Sequence, residues 1–375
     1  MTTTPSATVD ALSFPALPGA LDTPRVVVDL ARVERNIARL QGEMDRRGIA
    51  VRPHTKTHKS VSVARLQLEA GARGITVGTL GEAEVFAAAG LTDMFVAYPV
   101  WADAAKGARI RALHEAVASF SVGVDSVAGA ERLGVAVAGG RRPLRILVEI
   151  DPGLHRTGVG SPDAAAEVAL AAKTAGLEVA GIFSHGGHGY RPGGTADAGA
   201  DEVRTLTAAA AALRSEGFDT PTISAGSTPT MLSAAAGAVT EMRAGTYAYG
   251  DRQQWVLGAI PAEGCAVAVA ATVVSVADGR LVVDAGAKML TKDRADWLTG
   301  FGAFPAYPDL VIDRLNDYHG VVTIPPGASA PVIGEVVAIV PNHICPVIDL
   351  VDSVVVVAAD GSVADWPVDA RGRSG

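Results

Sequence analysis

The sequence predicts an α/β fold: a parallel (β/α)8 barrel of the TIM type followed by a C-terminal all-β domain. Three observations carry this. Short apolar runs alternate with amphipathic segments of about a dozen residues up to residue 255, the signature of βαβ units and a parallel sheet. After Trp255 helical periodicity gives way to short strands separated by Gly, Pro and Asp. Ala, Val and Gly dominate and aromatics are only 5%, which suits small-residue helices packed around buried parallel strands.

The elements follow in order. Pro24 to Leu30 reads as a buried strand, and Ala31 to Arg47 as a helix with Val33, Ile37 and Leu40 on one face. Ile49 to Pro53 is the next strand, with a helix over Ser60 to Ala70. The strands 74–78, 93–98, 145–150, 179–184 and 222–225 repeat the pattern, with helices such as 80–89, 164–175 and 201–216 between them. About eight such units precede residue 255, enough to close a barrel. Beyond it, strands are expected at 267–269, 271–276, 280–283, 321–324, 336–340 and 354–358. The expected organisation is a loose N-terminal arm over 1–20, a barrel over 21–255 and a β-domain over 256–375.

With 375 residues, 49% of them hydrophobic, the chain has room for two cores. A net charge of −8 argues against nucleic-acid and anionic-membrane partners. Cys265 and Cys345 lie too far apart to suggest a disulfide framework, so a reducing cytoplasm is expected. No apolar run is long enough for a membrane span, and Met1 to Pro5 lacks the pattern of a signal peptide.

Chemistry concentrates at the predicted strand ends. Arg52-Pro53-His54-Thr55-Lys56-Thr57-His58-Lys59 places amines and imidazoles at the C-terminal mouth of the second strand, where barrels of this type do chemistry. Neighbouring cations disfavour an ammonium, and a neutral amine can attack a carbonyl. A solvated basic loop is the plainer reading of the octamer taken alone. Other strand ends carry Asp151 to Gly158 (DPGLHRTG), His185 to Tyr190 (HGGHGY) and Gly226 to Thr230 (GSTPT). The last is a hydroxyl- and amide-rich turn able to hold a phosphate. His343-Ile344-Cys345 puts an imidazole and a thiol two positions apart, which share a face and can grip one ion if the segment is extended.

The chain resembles the alanine racemase-like family of pyridoxal phosphate enzymes, and within it the D-threonine aldolase and D-serine dehydratase branch. The anchors, in order, are TPRVVVD (23–29), RPHTKTHK (52–59), DPGLHRTGV (151–159), HGGHGY (185–190), GSTPT (226–230), DAGAK (284–288) and PNHICP (341–346). The resemblance implies that Lys56, rather than Lys59, carries pyridoxal 5'-phosphate as an internal aldimine. It implies that Arg156 contacts the phenolic oxygen and Tyr190 approaches the pyridine nitrogen. Gly226, Ser227, Thr228, Gly245 and Thr246 are implied to hold the phosphate. His343 and Cys345 are implied to bind a divalent metal, Zn or Mn, with the cysteine favouring Zn²⁺.

The activity implied is that of a lyase on D-3-hydroxy amino acids. The substrate forms an external aldimine and its β-hydroxyl is activated by the metal. Aldol cleavage and dehydration both remain open. His188 and His185 are candidates for the hydroxyl's base; His54, His58 and His155 shape the pocket, His319 is structural, and Lys288 and Arg294 lie at the β-domain surface or the entrance. Alternatives are an amino-acid racemase of the same fold, a non-catalytic pyridoxal phosphate carrier and a cofactor-free sugar-phosphate barrel. The resemblance also implies a homodimer.

Overall fold

The computed structural model describes residues 14, 17–19 and 21–375, so most of the expected N-terminal arm lies outside the described residues. In chain order the elements are β1 (Arg25–Asp29), α1 (Leu30–Arg46), β2 (Ala50–Val51), α2 (Val61–Glu69), β3 (Ile75–Val77), α3 (Leu80–Ala88), β4 (Asp93–Pro99) and α4 (Ala104–Ala116). There follow β5 (Ser119–Val124), α5 (Val127–Val137), β6 (Arg145–Ile150), α6 (Pro162–Thr174), β7 (Glu178–Ser184), α7 (Thr195–Ser215), β8 (Thr222–Ala225), β9 (Glu241–Met242) and α8 (Arg252–Val256). The remainder is β10 (Val267–Ala277), β11 (Arg280–Val283), α9 (Ala287–Leu290), β12 (Val311–Leu315), β13 (Gly320–Thr323), β14 (Val336–Ile339), α10 (Ile344–Asp349), β15 (Ser353–Val357) and β16 (Val363–Pro367). No helix among the described residues is long and apolar enough to cross a membrane.

The chain divides into two compact units. One holds Ile37–Gly245 with Gly372–Gly375; the other joins the described residues up to Asn36 with Thr246–Arg371. In the first, eight parallel strands run in the order β2-β9-β8-β7-β6-β5-β4-β3. The ring closes where Arg73 N donates to Val51 O (2.8 Å), Thr76 N donates to Pro53 O (2.8 Å) and His54 bridges Thr76. Helix starts are fixed by side-chain caps: Thr79, Asp103, Ser126 and Ser161 each accept from the backbone N–H three residues on. Phe95, Leu147, Ala180 and Phe183 form one buried cluster, with Phe95 and Phe183 edge to face at 5.0 Å between centroids. Gly181 (φ +152) is obligatory there, because a Cβ would lie 1.8 Å from Thr222 O.

At the base of the barrel Arg52 pairs with Glu241 (2.8 Å) and Asp93 (2.8 Å), all three from strands or strand ends. The first residue of the basic octamer is therefore a structural tie, not part of the mouth.

The second unit contains a mixed sheet ordered β12-β13-β11-β10-β1-β15-β16, with β14 also on β10. The first strand departs from expectation: β1 lies antiparallel to β10 and parallel to β15, outside the barrel. Its Val26, Val27 and Val28 are all buried, and that pattern fits the middle of either sheet. The barrel reaches eight strands through β5 and the two-residue β9. The segments expected at 267–269 and 271–276 are one bulged strand, β10.

Candidate active site

In the barrel unit Lys56 sits in a single 3-10 turn, Thr55–Thr57, directly after β2. His54 caps that turn, its Nδ1 accepting from Lys56 N at 3.3 Å. Thr55 Oγ1 donates to Thr76 O (3.1 Å), tying the turn to β3. The second lysine is committed elsewhere: Lys59 is buried, has φ +49, and pairs with the buried Glu82 at 3.3 Å. That difference separates the two amines physically.

Two histidines beside Lys56, His54 and His185, are pushed toward the neutral form. Burial first, then Lys56 and Arg243, hold His54 well below the usual imidazole range. His185 is depressed likewise, by burial and then by Lys56, Arg156 and Arg243. The cationic crowd expected from the sequence therefore shrinks. His58 is buried and serves structure: Ser60 N donates to its Nδ1 (3.1 Å) and its Nε2 meets Gln67 Oε1 (3.3 Å).

Burial lowers the His58 imidazole to about 4. An unfolded chain binds that proton near pH 6.5, so the stability due to neutral His58 is complete above pH 6.5 and is lost as pH falls towards 4. The loss amounts to about 3 kcal/mol, with His54 and His185 acting in the same direction. Urea unfolding at pH 7.5 and pH 4 is expected to show this drop, and His58→Gln to reduce it. An unchanged pH dependence in that variant would remove the assignment.

The loop after β6 is shaped by Asp151, whose Oδ1 accepts from Gly153 N (2.9 Å) and His155 N (3.0 Å). His155, with φ +57, pairs with Asp151 at 2.9 Å and is exposed, while Arg156 follows in the exposed part of the loop. Tyr190 is half-buried with its ring 6.5 Å from that of His185. His188 Nε2 meets Asp201 Oδ2 at 3.3 Å, and Asp201 is clamped by Arg204 at 2.6 Å. The other ring nitrogen of His188, Nδ1, is buried with no partner.

The GSTPT turn is held from beneath by Glu202 of α7, which is fully buried. Its Oε1 accepts from Gly226 N (2.9 Å) and Ser184 Oγ (2.9 Å), and its Oε2 from Thr230 Oγ1 (2.6 Å). Ser227 N donates to Thr230 Oγ1 (3.0 Å). Two of the backbone N–H groups expected to face a phosphate are thus spent inside the protein. The turn still needs its glycine: at Gly226 (φ +98) a Cβ would lie 2.0 Å from Met242 Sδ, and at Gly245 one would lie 2.9 Å from His54 O.

Sequence reasoning passed over three groups. Arg243 is buried against the rings of Phe95 and Phe183, its guanidinium donating to Ser184 O while Nε has no partner. Glu149, at the inner face of β6, accepts from Thr157 Oγ1 (3.0 Å) with its Oε2 unpartnered; burial raises its carboxyl above the usual range. Glu202 is the third. Glu149 is marked only by alternation onto the barrel's inner face, while Glu202, inside α7, and Arg243, just after β9, carry no local mark.

In the other unit, His343 and Cys345 do meet, by a route different from the one expected. His343 is extended (φ −135, ψ 113) but α10 begins at Ile344, so Cys345 lies in a helical turn. The cause is Asp251, fully buried, whose Oδ2 accepts from Ile344 N (3.1 Å) while Oδ1 accepts from Gln254 N (2.9 Å). Thr246 Oγ1 lies 3.9 Å from Cys345 Sγ. His343 Nδ1 meets Asp293 Oδ2 at 2.6 Å. Burial opposes protonation of His343, but Cys345, then Asp251 and Asp293, outweigh it and raise the imidazole to about 10. Surroundings that favour a proton there also favour a metal cation. Among the described residues no three His, Cys, Asp or Glu side chains gather as a metal cluster.

A parallel barrel with an amine after its second strand, joined to a mixed-sheet unit carrying an imidazole–thiol pair, defines the alanine racemase type of architecture. The chain belongs to the alanine racemase-like family: it matches the alanine racemase N-terminal domain over residues 28–253 and the serine dehydratase domain over 266–357. It is 37% identical over 369 residues to D-threo-3-hydroxyaspartate dehydratase of a Delftia species, covering 92% of this chain and 97% of that one. It is 36% identical over 383 residues to D-threonine aldolase of an Arthrobacter species, covering 97% of each. The solved Delftia dehydratase superposes with a TM-score of 0.83 at 35% identity, covering 92% and 97%. D-threonine aldolase of Filomicrobium marinum superposes at 0.84 with 30% identity, covering 94% and 96%.

The family implies pyridoxal phosphate, and the residues present fit it. Arg243 Nε and Glu149 Oε2 are buried polar atoms without partners. Gly226 and Gly245 leave backbone bare where any Cβ would collide. Lys56 is the amine of the octamer that is not buried in an ion pair.

Proposed function

We propose that this chain is a lyase dependent on pyridoxal phosphate and a divalent metal, acting on D-3-hydroxy amino acids, and that its reaction is dehydration. The observation that carries the reading is the His343–Cys345 pair. Solved variants of D-threo-3-hydroxyaspartate dehydratase change a histidine and a cysteine two positions apart to alanine, and the cysteine variant is a metal-free form. This chain has that spacing, with the two side chains in contact.

Bound at their sites, the cofactor supplies an electron sink for charge at Cα and the ion a Lewis acid for the hydroxyl at Cβ. Lys56 Nζ would join the cofactor and, once exchanged for the substrate amine, take the Cα proton. Arg156 would face the phenolic oxygen and Tyr190 the ring nitrogen. The hydroxyls of Ser227 and Thr228 and the N–H groups of Gly245 and Thr246 would hold the phosphate, with Gly226 contributing close approach. His343 and Cys345 would hold the metal, and a thiolate donor favours Zn²⁺ over Mn²⁺.

Dehydration asks for a base at Cα and help for the departing hydroxide. Aldol cleavage asks instead for a base on the hydroxyl, and for an acid that returns a proton to Cα. His188, the first candidate for that base, has Nε2 engaged by Asp201 and Nδ1 sealed. His185 is so far depressed by burial and nearby cations that it is a weak base. Lys56 and the metal pair supply what the first reaction needs.

Product analysis tests this. With the metal-loaded holoenzyme, D-threo-3-hydroxyaspartate is expected to give oxaloacetate and ammonia, and D-serine pyruvate and ammonia. Glycine and acetaldehyde from D-threonine as the dominant products would replace dehydration by aldol cleavage. Formation of the mirror-image amino acid without ammonia or aldehyde would replace the lyase by a racemase.

A further inference from the structure

We infer that Asp293 is a positioning residue for His343, turning the imidazole so that Nε2 is the nitrogen offered to the metal. This rests on the reading of His343 and Cys345 as metal ligands. The carboxylate occupies Nδ1 at 2.6 Å, which fixes the tautomer and leaves one nitrogen for coordination. A carboxylate behind a ligating imidazole also makes it a better donor.

A second observation points the same way. Thr291, the residue after α9, has φ +62 and ψ 163, a conformation that side-chain-bearing residues rarely adopt. Its Oγ1 accepts from Asp293 N at 3.2 Å, so the unusual backbone sets where Asp293 begins. The helix before it is anchored by Ala287 N to Asn316 O (2.8 Å) and Lys288 N to Asp317 O (3.0 Å). Asp293 itself is more than half exposed, and ion pairs in such places add little to stability. A strained turn is a poor device for gaining a weak surface pair, but a serviceable one for aiming a ligand.

The test uses metal-free full-length protein titrated with Zn²⁺ against a chromophoric chelator, for wild type, D293A, D293E and H343A. Zn²⁺ affinity is expected to fall about 10- to 100-fold in D293A and to recover in large part in D293E. Thermal unfolding of the metal-free proteins is expected to stay the same. A D293A protein within about twofold of wild type, while H343A has lost binding, overturns the role of Asp293 and leaves the metal reading standing. If H343A binds Zn²⁺ like wild type, both fall together. A D293A protein with a lowered metal-free unfolding midpoint and no recovery in D293E assigns the residue to the fold instead.

Discussion

Lys56→Ala is expected to reduce turnover by about 10⁴-fold or more, because the variant loses the amine to which we assign both the cofactor link and the base at Cα. Activity alone would not distinguish Lys56 from a neighbour, so the decisive measurement is chemical. Borohydride reduction of the wild-type holoenzyme is expected to fix a pyridoxyl mass on the peptide containing residue 56, and fragmentation to place it on that lysine. Lys59→Ala should behave differently. It breaks a buried ion pair with Glu82, which costs about 3–5 kcal/mol, yet the mass tag should remain on Lys56. A tag on Lys59, or none in a protein that still turns over, would overturn Lys56 as the residue that joins the cofactor.

The two lysines also show where sequence reading stops. The octamer advertises several amines and imidazoles, and resemblance selects Lys56. What makes the choice physical is Glu82, which lies in a helix beyond the next strand and has no mark in the sequence. The same holds for Asp251 and Asp293. They stand 92 and 50 positions from His343, and nothing in their local sequence connects them to it. The barrel was legible because alternation of apolar strands and amphipathic helices is a local signal. Its exact strand membership was not. Val26 to Val28 reads as a buried strand wherever it goes, and β9, with two residues, is too short to show a period. The turn at 226–230 reads as a candidate phosphate holder, but Glu202 has to be seen beneath it before the engaged N–H groups of Gly226 and Ser227 can be discounted.

Removing the metal is expected to separate the two halves of the chemistry. Exhaustive chelation, or His343→Ala, should lower dehydration by about 10³-fold, the several kcal/mol that a Lewis acid contributes at a departing oxygen. Cofactor absorbance should survive, because Lys56 and the groups assigned to the phosphate are other residues. Exchange of the substrate's Cα proton with solvent should survive as well, since Lys56 performs it. Restoring Zn²⁺ to chelated wild type should bring dehydration back, whereas His343→Ala should not respond. Cys345→Asp offers a sharper form of the test: a carboxylate in place of the thiolate keeps two donors but hardens the site, so activity should return with Mn²⁺ in preference to Zn²⁺. If chelation abolished Cα exchange along with ammonia release, the ion would be acting before the hydroxyl departs, and its place at Cβ would be wrong. If chelation changed neither, the imidazole–thiol pair would be a feature of the fold, and the dehydratase reading would lose the observation on which it stands.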